Sequence, residues 1–462
     1  MTAVIAHDSY SAPSGKSIHG GRWLAPNAVL DLIRAAPENS WVQLNTNTFQ
    51  DAWSPADARQ AYPYTGVGAE IPEPILGKWG SMGWDSARSR AIVFGGGHAN
   101  IGLNEVYYFS AYDRKWHLGF NATRIVQVNS YPTYRSVDGN KSPVSSHTYA
   151  NNNYLPTIDR FYTGGGAAVG NGNSLMVWDG NTALRPAGGF TLDMTLAGQG
   201  YVAGEAGSNV KYGSFSADLP GANAWKLRDW GLNNPAIQAT GWDGNSIERI
   251  ECGTVVANEN GHDTLYWLAN GRLWRTEFFD DVPANDVITR ISGYENAFSS
   301  NGAMALDPVR RIILKPNGRN PELRLFHMLD LNVNNTGGGF QSIYSMSGDS
   351  QAGFIGTSGL TTSSGIAYDE RKGCFVLWMK GRQPWLIHAP SGSPVPSTGW
   401  EVEKPTMDTG TSCPPDTLDP NDSGVIGKFK YAPDLGCCVC IENITQGNVW
   451  ALKLAGWTDP RS

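Results

Sequence analysis

The chain repeats one pattern of apolar and polar positions. A short apolar run is followed by a polar turn holding Asp or Asn, a second apolar run, a Gly/Asn-rich loop and a third run. The clearest copy is GSMGWDSARSRAIVFGGGHANIGLNEVYYFSAYDRKWHLGF, residues 80–120. Short apolar runs bounded by Gly, Asn and Asp read as strands. This copy therefore predicts four, at Met82–Asp85, Ala91–Phe94, Val106–Phe109 and Trp116–Gly119. Related hairpins follow at 145–166, 252–271, 300–318, 364–381 and 426–443. Candidate third strands are SLMVW (174–178), RLFHML (324–329), WLIHA (385–389) and VWALKL (449–454).

A repeat of roughly 50–70 residues fits propeller blades better than leucine-rich or helical repeats. The expected fold is all-β: a single closed β-propeller of four-stranded antiparallel blades. The interval 183–245 contains LAGQGYVAGEAG, VKYGSFSADL and AWKLRDW and is long enough for a blade, which favours seven blades over six. An insertion between blades is the other reading. The last repeat stops at its third strand, while SWVQLN (40–45) shares the Trp-led form of WHLGF and AWKLRD. An N-terminal strand closing the last blade removes an exposed edge. The organisation expected is an arm at 1–39, with a short helix at NAVLDLIRAA after Pro26, and a propeller at 40–462.

Composition agrees, since the 55 Gly, 17 Trp and 18 Tyr supply turn residues and strand formers. A net charge of −7 lacks the basic footprint of a nucleic-acid binder. No apolar run reaches the roughly 18 residues of a membrane span. The opening MTAVIAHDSYSAPSGK has no basic start followed by an apolar core, so no signal peptide is expected. These features predict no nucleic-acid partner, no membrane insertion, and a place in a virion or in the cytoplasm of the producing cell. The six cysteines read as small buried hydrophobes.

The GGG…NEVYYF…D…W run resembles the kelch repeat, in which a Gly pair ends the second strand and spaced aromatics mark the third and fourth. The segment DSARSRAIVFGGGHANIGLNEVYYF, with SSHTYANNNYLPTIDRFYTGGG, is similar to kelch-like proteins of bacteria and their phages, within the galactose-oxidase-central-domain-like superfamily. The resemblance covers 40–180 and continues beyond only as repeats. It implies a kelch-like propeller and little chemistry. Copper-radical oxidases on that fold share a Tyr-His dipeptide, which this sequence lacks, and it lacks sialidase Asp boxes.

Blade topology directs attention to one face. In a four-stranded antiparallel blade, the loop after the second strand and the loop leading into the first strand lie on the same side. His98 and His147 therefore share a face on neighbouring blades, as candidates for an acid–base pair. The same rule gathers Asn100, Lys315, Arg319, Lys380, Arg382 and Lys428 as candidate ligand-binding residues. A basic mouth on an acidic body attracts anions, and Arg forks bind carboxylates. The alternative is that the histidines stabilise turns and the cations are solvated. No metal site is expected. Asp419 and Asn421 have the opening spacing of a calcium loop, but position twelve is Lys430 rather than Glu, which excludes an EF-hand and leaves a turn or a looser Ca²⁺ site. No cofactor is expected.

The function expected is a non-enzymatic binding or structural propeller. Its specific form is a phage virion component of the tail or host-attachment apparatus. It would contact other virion or surface proteins through the N-terminal arm, or an acidic surface glycan. The alternative is a polysaccharide lyase or depolymerase acting on uronate-containing glycans with a His/Tyr/Arg site. Fold alone establishes neither.

Overall fold

The computed structural model describes residues 26–53, 73–77, 79–96, 104–123, 125–127, 134–136, 139, 141–164, 175–199, 210–211, 214–215, 224–230, 253–269, 272–292, 302–316, 325–333, 340–349, 364–416, 424–442 and 445–462. Among them are six antiparallel blades of a β-propeller. Blade 1 is Ser81–Asp85, Arg90–Phe94, Val106–Ser110 and Lys115–Phe120. Blade 2 is Asn153–Leu155, Arg160–Thr163, Phe190–Leu192 and Trp225–Leu227. Blade 3 is Thr254–Glu259, His262–Ala269, Arg272–Phe278 and Val287–Arg290, and blade 4 is Ala305–Asp307, Ile312–Pro316, Phe326–Asp330 and Phe340–Ile343. Blade 5 is Gly365–Asp369, Cys374–Trp378, Trp385–His388 and Glu401–Glu403, with Ser347–Gly348 added parallel to its outer strand. Blade 6 is Phe429–Ala432, Cys437–Glu442 and Asn448–Lys453, and its fourth strand is the N-terminal Ser40–Gln43, with Trp41 opposite Leu452.

Six blades correct the expectation of seven. The interval 183–245 is no blade of its own, because Phe190–Leu192 and Trp225–Leu227 are the third and fourth strands of blade 2. The third strand expected at 174–178 is also displaced. Met176–Asp179 pairs instead with Thr182–Pro186 in a two-stranded hairpin between the second and third strands of blade 2. The first strands of consecutive blades are neighbours, and the first strand of blade 6 also lies beside that of blade 1.

One turn recurs between first and second strands. In blades 1, 2, 4, 5 and 6 it has four residues, and the fourth has a left-handed backbone: Ser89, Asp159, Arg311, Gly373 and Gly436, with φ between 50 and 66°. Where the first strand ends in Asp, its carboxylate accepts the N–H groups of the turn. Asp85 takes Arg88 N, Asp307 takes Val309 N and Arg310 N, and Asp369 takes Arg371 N and Lys372 N, all at 2.9–3.1 Å. Such Asx-type bonds satisfy donors that the ladder cannot reach. Blade 2 has Leu155 at that position, and Asp263 of blade 3 accepts Thr157 N and Ile158 N instead, at 2.8 and 3.0 Å. Equal turns put the five first strands in a common register. Gly83, Asn153, Ala305, Ala367 and Lys430 are equivalent, each six residues before the left-handed position.

Apolar side chains from facing sheets fill the seams between blades. The seam between blades 2 and 3 also buries Arg228 completely, paired to Asp281 at 2.9 Å and Asp286 at 3.1 Å. The helix Asn27–Ala35 buries Val29, Leu30 and Ile33 in the cluster shared by blades 6 and 1. Its last carbonyls, of Arg34 and Ala36, accept from Lys453 Nζ at 3.1 and 2.6 Å, a favourable place for a cation. Among the described residues no helix is long and apolar enough to cross a membrane.

Candidate functional site

The face that carries the loops into the first strands is termed upper, and the face of the recurrent turns lower. On the upper face, the segment leading into blade 2 packs against the end of the second strand of blade 1. Asn152 Nδ2 donates to both Ser81 O and Phe94 O at 2.9 Å, and Ser81 Oγ donates to Thr148 Oγ1 at 2.9 Å. A Cβ on Gly95 would come within 2.9 Å of Thr148 Cγ2 and 3.0 Å of Ser146 O. His147 therefore sits beside the exit of the second strand of blade 1, buried at 7% exposure. His98, Asn100 and Arg319 lie outside the described residues, as do Asp419 and Asn421.

His147 belongs to an aromatic cluster. Its ring lies 6.0 Å from that of Tyr149, edge-on, and 6.4 Å from that of Trp79, while Trp79 and Tyr149 are 5.2 Å apart. Tyr149 N donates to Trp79 O at 2.7 Å. Both residues have left-handed backbones, with φ of 54° at Trp79 and 48° at Tyr149. For bulky side chains that conformation is an outlier, and it costs about 1–3 kcal/mol per residue. The surroundings enforce it. A Cβ on Gly427 of blade 6 would lie 2.4 Å from Tyr149 O and 2.5 Å from Ser81 Cβ, so three blades meet here with no room to spare. Tyr149 is buried, whereas Trp79 keeps part of its surface exposed.

The cations assigned to the mouth from sequence are largely engaged. Lys428, next to Gly427, is 2% exposed and donates to Leu76 O at 2.7 Å. Lys315 is fully buried in the second strand of blade 4, its Nζ close to Gly302. Lys380 Nζ donates to Asp416 O at 3.1 Å. Arg382 spans the carbonyls of Asp408 and Thr411, and its own carbonyl accepts Trp41 Nε1 at 2.8 Å. Lys380 and Arg382 thus hold the 408–416 segment against blade 5. Among the described residues, no three His, Cys, Asp or Glu side chains are grouped to hold a metal ion.

The sequence assigned no functional role to Trp79, Tyr149 or Lys430. Tyr149 stands two residues after His147 in the same SSHTY segment, which was the available signal. Lys430 is the only charged residue among the equivalent inner-strand positions Gly83, Asn153, Ala305 and Ala367, a contrast visible once the turns are aligned.

No family model matches the chain, and no curated protein matches it. Among solved structures it is similar to an α-L-arabinanase of Penicillium chrysogenum complexed with arabinobiose, at 9% identity and a TM-score of 0.41, covering 92% of this chain and 100% of that one. It is also similar to the major allergen Mala s 1 of Malassezia sympodialis, at 10% identity and a TM-score of 0.39, covering 91% and 96%. A third is the α-L-arabinofuranosidase Arb93A of Fusarium graminearum, at 8% identity and a TM-score of 0.37, covering 91% and 99%. At such identities and scores the likeness carries no functional reading.

Proposed function

We propose that the protein is a binding propeller that takes a surface glycan on its upper face, at the Trp79–His147–Tyr149 cluster. The observation that supports this reading is the pair of adjoining aromatic residues, Trp79 and Tyr149, both held in left-handed backbone conformations. Strain of this kind collects at ligand clamps, where the surrounding structure over-determines it. A half-buried tryptophan backed by rigid rings suits stacking on a sugar face. Because Lys428, Lys380 and Arg382 are already engaged with carbonyls, the reading rests on stacking rather than on ion pairs to an acidic polymer. Its finer form is a module mounted on a virion or cell surface, in which a rigid platform presents the cluster to a host glycan.

The test is calorimetric titration of the whole protein with a panel of bacterial surface polysaccharides, neutral and acidic. At least one should bind, and Trp79→Ala should weaken it about tenfold or more, a loss of about 1.4 kcal/mol. Full affinity in a folded Trp79→Ala variant would overturn the reading, as would the absence of any ligand in the panel. Recovery from purified virions in fixed copy number would support the mounted form.

One observation favours a second reading. His147 and Tyr149 place an imidazole edge-on to a phenol, 6.0 Å between ring centres, the pair of groups that β-elimination of a uronate needs. Unsaturated products appearing on uronate polymers, and abolished by His147→Ala, would replace the binding-only reading with a lyase.

A further inference from the structure

The inner-strand register aligns Lys430 of blade 6 with Gly83 of blade 1 and Asn153 of blade 2. Lys430 Nζ donates to Asn153 Oδ1 at 3.2 Å. Blades 6 and 2 flank blade 1, so the lysine reaches past the first strand of blade 1 on its axial side. Glycine at 83 makes this possible. Asn153 backbone atoms lie 2.9–3.2 Å from where a Cβ at 83 would stand, so blades 1 and 2 approach closely here.

The hydrogen bonds continue round the axis. Asn153 Nδ2 donates to Thr254 Oγ1 of blade 3, and Thr254 Oγ1 donates to Ala150 O at 3.0 Å. This chain fixes the amide so that its oxygen faces the amine. Lys430 is surrounded by protein and yet retains part of its accessible surface, and a propeller's inner strands border its central channel. The equivalent residues of blades 4 and 5, Ala305 and Ala367, are buried in the apolar seams instead.

One of the three ammonium donors is used by Asn153. Among the described residues, no carboxylate forms an ion pair with Lys430. A desolvated ammonium without a counter-charge is costly, and it either loses its proton or acquires an anion. Desolvation pulls the Lys430 amine down to about 8, which still leaves it charged at neutral pH.

We propose that Lys430, oriented by Asn153 and Thr254, forms an anion site in the axial channel for a small oxyanion, either a carboxylate or a phosphate. The site is separate from the upper-face cluster and does not depend on the glycan reading.

The test uses the whole protein at pH 8 and reductive methylation with formaldehyde, a small neutral reagent, read residue by residue from peptide masses. Exposed Lys115 is the internal reference. Inorganic phosphate and acetate are added separately at matched ionic strength. An occupied amine reacts only through its unoccupied fraction, so four times the dissociation constant should slow Lys430 about fivefold relative to Lys115. Saturable protection by either anion supports the site, and the stronger protector identifies the class. Equal effects on Lys430 and Lys115, or none with either anion, overturn it. As a second readout, ¹³C-methylated Lys430 should show a saturable resonance shift with the protecting anion that ¹³C-methylated Lys115 does not. An unmoved Lys430 resonance would count against the site.

Discussion

Arg88 on the turn of blade 1 donates to both carboxylate oxygens of Asp159 on the matching turn of blade 2, at 2.8 and 2.6 Å. The same guanidinium reaches Asp85 at 3.0 Å, and Tyr154 OH donates to Asp159 at 2.6 Å. One arginine thus joins two blades and neutralises Asp85, which is fully buried and whose carboxyl desolvation pushes upward. In blades 1 and 5 the aromatic residue next to the end of the first strand joins other seams as well. Trp84 Nε1 donates to Asp434 of blade 6 at 2.6 Å, and Tyr368 of blade 5 bonds Asp307 of blade 4.

Arg88→Ala leaves Asp85 buried without its cation and cuts the bridge to blade 2. Losing one partner of a buried pair costs about 3–5 kcal/mol. Urea unfolding should show a midpoint shift of that size. Arg88→Lys should recover only part of it, because an ammonium cannot hold two carboxylates as a planar fork does. A shift within the error of extrapolation would show that the bridge carries no stability.

The turns explain how much of this was legible in the chain. A polar turn of fixed length between two apolar runs is a local signal, and the first hairpins of all six blades stand where the pattern predicts them. Blade 2 hides its outer half. Its third and fourth strands are three residues each, separated from the hairpin and from each other by long segments, so periodicity has little to register. The partners of the candidate cations are hidden for a different reason. Lys428 and Arg382 are satisfied by carbonyls of Leu76, Asp408 and Thr411, and backbone acceptors leave no trace in residue types. The strained pair Trp79 and Tyr149 is equally silent, since left-handed aromatics break the local rule that sequence reading relies on.

Stability should fall as pH rises toward neutrality, through Asp434. Burial pushes its carboxyl up from an ordinary value of 3.8 to about 7, with Ser89 and Trp84 donating to it and Asp85 nearby adding to the rise. A carboxyl raised on folding is held protonated more tightly by the native state, so its contribution is complete below about pH 4 and is lost through pH 7. Asp434→Asn keeps the acceptor for Trp84 and removes the titration. Thermal midpoints from pH 4.5 to 8.5 should therefore decline more steeply in the native protein than in the variant. Parallel curves would refute the assignment.

The buried thiols should be inert until the protein unfolds. Cys374, Cys437, Cys438 and Cys440 are each about 1% exposed or less, and burial pushes all four up, Cys374 to about 12. The thiolate is the reactive form. Of the five described cysteines, only the partly exposed Cys413 should react with a disulfide reagent in the native state. The other four should label at the global unfolding rate, which peptide mapping against urea concentration would show. Fast native labelling of Cys438 or Cys440 would mean that blade 6 opens locally.

Blade 6 offers the sharpest test of how the N-terminal strand is held. Trp41 is 2% exposed, donates Nε1 to Arg382 O at 2.8 Å, and leans on Trp378 with ring centres 4.9 Å apart. Its apolar neighbours include Cys438, Cys440 and Leu452, so the indole joins the N-terminal strand to the seam between blades 5 and 6. Trp41→Ala should cost about 3–5 kcal/mol, as large-to-small changes in a filled core do. Trp41→Phe should cost less, chiefly the donor lost to the Arg382 carbonyl, about 1–3 kcal/mol. If Ser40–Gln43 folds as part of blade 6, both losses appear in the main urea transition, in that order. If the strand detaches by itself, the main transition stays put and only proteolytic cleavage near residue 40 accelerates.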